Sequence, residues 1–145
     1  MPEIEKFEAL RYTADVVCFR GDAVLLIERG WPPYQGMFAL PGGHVDAGET
    51  SRDAAARELL EETGVRVEAA DLVFVGLYDA PERDPRGRYI GAAYAVRVPE
   101  GTEALAGDDA ASVQWVPLAD LPADLAFDHR LIVADTRALP LTIRP

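Results

Sequence analysis

The segment from Gly43 to Val65 constrains this chain more than any other. It holds a strong helix candidate, Thr50 to Thr63, built from Ala54-Ala55-Ala56-Arg57-Glu58-Leu59-Leu60-Glu61-Glu62. These are good helix formers throughout. Thr50 and Asp53 have the spacing of an N-terminal capping box, and Gly64 supplies a C-terminal stop. At about 100° per residue, Glu58, Glu61 and Glu62 share one face. Ala56, Leu59, Leu60 and Thr63 fall on the opposite side and are expected to meet the core. Such a helix is buried on one side and presents three carboxylates on the other.

Neighbouring carboxylates at this spacing repel, at a few tenths of a kcal/mol per pair. Arg57 can relieve Glu61 but cannot neutralise three acids. A divalent cation can, and an all-oxygen set suits Mg²⁺, with Mn²⁺ as the alternative. A solvated acidic face is the competing reading. Pro41-Gly42-Gly43 just upstream argues against it, because glycines let backbone approach a bound phosphate or metal closely.

The rest of the chain supplies the sheet. Thr13 to Phe19 and Ala23 to Ile27 read as a largely buried hairpin broken at Gly21-Asp22. Gly30 to Gly36 is irregular, with Pro32 and Pro33, and Met37 to Leu40 is a short strand stopped by Pro41-Gly42-Gly43. Val65 to Tyr78 is expected as a strand kinked near Ala69-Ala70-Asp71. Pro81 to Gly87 is a charged loop, Tyr89 to Val98 a strand with Gly91 as a bulge, and Ser112 to Val116 a short strand. Phe127 to Leu139 is a second helix capped by Asp128. The order β-β-β-α-β-β-β-α predicts a mixed sheet packed between helices, in one domain over residues 1–145.

The formal net charge of -11 argues against nucleic acid polymers and anionic membranes, while metal-bridged small phosphates remain open. The single cysteine, Cys18, excludes an internal disulfide and lies in an apolar run. No secretory signal and no membrane-length apolar run is evident, so a cytoplasmic location is the default expectation.

The string Gly43, Glu49, Arg57, Glu58, Leu59, Glu61, Glu62, Gly64, Val65 resembles the signature of the Nudix hydrolase family, Gly-x5-Glu-x7-Arg-Glu-U-x-Glu-Glu-x-Gly-U, with U a bulky aliphatic residue. Every fixed position is filled without a gap. At about 7% per residue type, seven identities arise by chance on the order of once in 10⁸ windows. The resemblance implies an α/β/α sandwich and metal-dependent hydrolysis of a nucleoside diphosphate linked to another group. By motif position it implies Glu58 and Glu62 as main metal ligands, Glu61 as a further ligand or the general base, and the Gly42 carbonyl as an added ligand. Arg57 resembles the residue that orients the glutamates, and Glu49 its structural partner or an outer ligand.

Three shorter segments resemble the ADP-ribose pyrophosphatase-like branch: Trp31 to Gly36, Asp84 to Arg88, and Phe127-Asp128-His129. On this resemblance ADP-ribose, split to AMP and ribose 5-phosphate, is the first substrate expectation. A nucleoside triphosphate pyrophosphohydrolase and a non-catalytic ADP-ribose-binding regulator are the alternatives. Trp31 and Tyr34 are candidates to stack on a base, against core or loop-anchoring roles. Arg86 and Arg88 are candidates for a phosphate or ribose, against a charged turn. His129 is a lesser candidate, with helix capping or exposure favoured. Glu82 and Asp84 are candidates for a base outside the helix. Relatives in the family often dimerise, which adds a homodimer to the expectations.

Overall fold

A computed structural model describes residues 6–107 and 110–143. Its elements run β1 (Arg11–Arg20), β2 (Ala23–Arg29), β3 (Phe38–Ala39), β4 (Gly42–His44), α1 (Ser51–Thr63), β5 (Val73–Tyr78), β6 (Tyr89–Arg97), β7 (Ala110–Pro117) and α2 (His129–Asp135), with short 3-10 turns at Ala69–Asp71 and Leu118–Asp120. The expected order holds with one added strand, β4.

The sheet is mixed. β1 runs parallel to β6 along most of its length, from Arg11 opposite Tyr89 to Phe19 opposite Arg97. All other pairings are antiparallel. The other edge of β1 is shared. Only Phe19 and Arg20, beside the turn, pair with β2, while Thr13, Ala14 and Asp15 pair with β4. The hairpin arms therefore separate as they leave the turn, and β2 continues against β7 and β3 instead. A gap opens between the two halves of the sheet.

Side-chain alternation along β1 divides the core into two layers. Ala14, Val16 and Cys18 pack with Ala54, Ala55 and Leu59 of α1. Val17 and Phe19 pack with Ile132 and Val133 of α2. β6 alternates in the same way, with Ala92, Tyr94 and Val96 toward α1 and Ala93 and Ala95 toward α2. This is the α/β/α sandwich. Burial pushes the Cys18 thiol up to about 12, as fits an inert core position.

α1 forms as its local sequence requires. Thr50 Oγ1 accepts from the Asp53 amide at 3.1 Å, and Gly64 takes the left-handed conformation with its N–H on Leu60 O at 2.9 Å. Two more carbonyls of the last turn are satisfied from outside, Thr63 O by Leu105 N and Glu62 O by Gly107 N. The buried stripe is Ala54, Ala55, Leu59, Glu62 and Thr63, with Ala56 and Leu60 only half-buried. The stripe is rotated from the expected one because the small Ala54 and Ala55 let the first turn lie directly on the sheet.

Several expectations are corrected. β4 replaces the predicted stop at Gly42-Gly43. Residues 65–68 are not strand; the strand begins at Val73. The β5–β6 irregularity lies between Phe74 and Gly76, so Gly91 is not bulged. A Cβ on Gly91 would stand 3.0 Å from Arg83 Nη1, so its bareness admits that guanidinium. α2 is shorter than predicted, and Asp128 makes no side-chain cap because its carboxylate is engaged by Arg83. Among the described residues no helix is long and apolar enough to cross a membrane.

Candidate active site

The gap between β1 and β2 forms an open cleft of about 260 Å³. Its floor and walls come from β1, β2, β4, the loop before β6 and the start of α2, and Glu62 reaches it from α1.

The acidic edge is organised by Arg57. Its Nε and Nη2 donate to Glu49 at 2.8 and 2.9 Å, its Nη1 to Glu58 at 2.8 Å and Glu61 at 3.2 Å, and its Nη2 to His44 O at 3.0 Å. A planar guanidinium with several fixed donors is suited to this gathering role. The Arg57 hydrogen bonds and the Asp46 amide hold the Glu49 carboxyl down at about 2. Glu49 thus stands as the partner of Arg57. Glu58 moves the other way: burial raises it, only partly offset by Arg57.

The glycines bring backbone against these acids. Gly42 N donates to Glu62 Oε1 at 2.7 Å. A Cβ on Gly43 would stand 2.6 Å from the Glu58 carboxyl carbon. The fit of a hard divalent cation rests on this cradle and its all-oxygen donors. Among the described residues no group of three His, Cys, Asp or Glu side chains converges as a ready-made metal set. Arg57 and the Gly42 amide engage the carboxylates instead. Magnesium keeps several waters and is commonly held by one or two carboxylates together with substrate phosphates, which this edge can supply.

The opposite wall holds Asp15 and Arg83, which the sequence reading passed over, beside His129, a lesser candidate there. Asp15, on β1, faces α2 and is buried, as are Arg83 and His129. Arg83 forms a two-point ion pair with Asp128, at 2.8 and 2.7 Å. His129 Nδ1 accepts from Leu40 N at 2.9 Å. That bond fixes the neutral tautomer with its proton on Nε2, which lies 3.6 Å from Asp15 Oδ2. Burial pushes His129 down to about 3 and Asp15 up to about 7. His129 is therefore neither exposed nor a helix cap. Nothing in the local pattern around Asp15 or Arg83 marked them; each acquires its place by long-range packing.

At the rim, Trp31 is 65% exposed and lines the cleft. Arg29 donates to Pro33 O at 2.7 Å and lies over the Phe127 ring. Tyr34 does not line the cleft but packs edge-on against Phe127, with centroids 4.9 Å apart. Arg86 lines the cleft and pairs at two points with Asp84, at 3.0 and 2.7 Å. Burial raises Asp84, but its bonds from Arg86 outweigh this and hold it low. Arg88 lies outside the cleft lining and pairs with Glu8. Glu82 is exposed and outside it as well.

A sandwich with an Arg-ordered acidic helix beside a glycine-floored cleft defines a class, and the family comparison agrees. The NUDIX domain model matches residues 9–136, and the chain belongs to the Nudix family of hydrolases. It is 43% identical over 121 residues to the ADP-ribose pyrophosphatase of Methanocaldococcus jannaschii, covering 83% of this chain and 69% of that one. The NUDIX domain of Shewanella oneidensis NrtR, solved with ADP ribose, superposes with a TM-score of 0.82 at 29% identity, covering 94% of this chain and 97% of that one. A bifunctional NMN adenylyltransferase/ADP ribose pyrophosphatase of Francisella tularensis, solved with AMP and a manganese ion, gives a TM-score of 0.78 at 28% identity. The match covers 90% of this chain but only 42% of that larger one.

Proposed function

We propose that the protein hydrolyses ADP-ribose to AMP and ribose 5-phosphate with Mg²⁺, Mn²⁺ serving as a substitute. The observation that carries this reading is the meeting of Glu58 and Glu62 with the Gly42-Gly43 backbone at the edge of an open cleft. The similarity to an ADP-ribose pyrophosphatase over most of the chain supports the choice of substrate.

Glu58 and Glu62 would hold the cation, with Glu61 and the Gly42 carbonyl available as further ligands. When bound, such an ion offsets diphosphate charge and acidifies a coordinated water. The chain's own residues do the rest. Arg57 fixes the rotamers of Glu58 and Glu61 through its donors. Glu61, the most open of the three acids, is the proposed acceptor of the proton from the attacking water. Arg29 and Arg86, both on the cleft, offset phosphate charge, and Trp31 offers a ring face for the base at the rim. Water adds to one phosphorus, the phosphoanhydride bond breaks, and the second phosphate leaves with its electron pair.

The test is incubation with Mg²⁺ and a panel of nucleoside diphosphate derivatives and triphosphates, with products identified by chromatography. Formation of AMP and ribose 5-phosphate from ADP-ribose supports the reading. Consumption of triphosphates alone, or tight ADP-ribose binding without turnover, refutes it. A homodimer is a further part of the proposal, read by light scattering on the purified chain.

A further inference from the structure

One buried polar atom in the cleft wall has no hydrogen-bond partner among the described residues. Tyr89 opens β6, is 2% exposed and lines the cleft, yet its hydroxyl makes no hydrogen bond. A buried hydroxyl without a partner is destabilising, and a phenylalanine would fill the same space without that cost. The only other such atom among the described residues, Trp115 Nε1, belongs to a ring that lies under Arg20 and away from the cleft.

The surroundings of Tyr89 are those of an anion-binding position. Its ring lies 5.8 Å from that of His44, centroid to centroid. His44 is two residues along β4 from Gly42, a displacement of roughly 6–7 Å. Across β1, Gly42 stands level with Ala93, four residues along β6 from Tyr89, so Tyr89 lines the same cleft about 13 Å along the strands from the junction of Gly42 with Glu62. Above the ring lies the Arg86 guanidinium, 4.8 Å from the centroid, tied back to Asp84. Arg86 covers the tyrosine while remaining partly open to solvent itself.

We infer that the Tyr89 hydroxyl recognises substrate, donating a hydrogen bond to a phosphate oxygen as Arg86 swings from Asp84 onto the same group. The inference rests on the reading above that the cleft takes a diphosphate. Arg86 then serves as both cover and cation: its movement exposes the hydroxyl only when an anion is present to draw it from Asp84.

The experiment compares wild type with Tyr89→Phe in three measurements: melting temperature without ligand, affinity for inorganic pyrophosphate with Mg²⁺, and KM and kcat on ADP-ribose. The expected results are an unchanged or higher melting temperature, a pyrophosphate affinity about tenfold weaker and a KM about tenfold higher, as for one charge-assisted hydrogen bond, with kcat within about twofold. In the Arg86→Ala, Tyr89→Phe pair the combined loss is smaller than the product of the single losses, because both side chains hold one group. Unchanged pyrophosphate affinity in Tyr89→Phe overturns the inference. So does a lowered melting temperature, which would reveal an internal partner for the hydroxyl. If wild type leaves ADP-ribose intact while pyrophosphate binding still depends on Tyr89, the substrate reading fails and the inference stands.

Discussion

Gly42 donates its amide hydrogen to Glu62 at 2.7 Å, joining the strand that floors the cleft to the last turn of the acidic helix. This bond draws Glu62 out of the row of solvated acids and into the buried stripe of α1, where it is 8% exposed. A carboxylate in that position is held for a purpose other than solubility.

Glu58→Gln and Glu62→Gln are each expected to lower turnover by at least about 10²-fold, in the range of lost acid–base or ligand functions, while leaving the fold intact. Glutamine keeps the shape, and its amide oxygen can still accept from Gly42. Steady-state kinetics beside circular dichroism checks this. Near-wild-type turnover in either variant contradicts the ligand assignment.

The two adjacent glycines are expected to fail differently. A Cβ on Gly42 would lie 2.3 Å from the backbone oxygen of Ala14, which cannot retreat without breaking the β1–β4 pairing. Gly42→Ala should therefore cost about 1–3 kcal/mol of stability, as overpacking does. A Cβ on Gly43 meets only the end of the Glu58 side chain, which can turn aside. Gly43→Ala should keep most of its stability and lose turnover. Urea unfolding and kinetics on both variants separate the two effects; equal stability losses would count against this geometry.

Arg57→Lys is expected to behave as a substantial change. A lysine cannot span Glu49, Glu58, Glu61 and the His44 carbonyl together. Turnover should fall well below wild type, and kcat should suffer more than KM because the loss is one of carboxylate placement. A variant altered in KM alone would place Arg57 in binding instead.

His129 sets an acid limit on stability. Its folded pKa is about 3, below the unfolded value of about 6.5. Its contribution is complete above about 6.5 and is lost as pH falls toward 3. Asp15 opposes it: raised to about 7 by burial, it contributes stability below its unfolded value near 3.8 that is lost as pH rises through 7. In Asp15→Asn the histidine acts alone, so stability should fall more steeply from pH 6.5 to 4 than in wild type. Denaturant unfolding across that range is the measurement, and parallel curves would remove Asp15 as the opposing group.

What could be read in the sequence was local. Thr50, the Ala-Leu-Glu interior and Gly64 specify α1 within its own length, and the three acids followed from its period. β4 was missed because Gly42 and Gly43 have no strand preference; their pairing with Thr13, Ala14 and Asp15 makes them a strand. Arg57 and Glu49 were placed by motif position and are found paired. Asp15, Arg83 and His129 come from three distant segments, and only the folded sheet brings them to one wall. Arg88 was misplaced because a charged turn gives no sign of which side its arginines take, and Glu8 holds it outside.

The parting of β1 from β2 has a consequence for how this scaffold tolerates change. The cavity is a seam between strands of one sheet, walled in part by the loops before β3 and β6. Exposed positions on the rim, such as Trp31, can vary in chemistry without disturbing the acidic helix or its glycine neighbours. Selectivity for different leaving groups can then be retuned at the border while the bond-breaking apparatus stays fixed beneath.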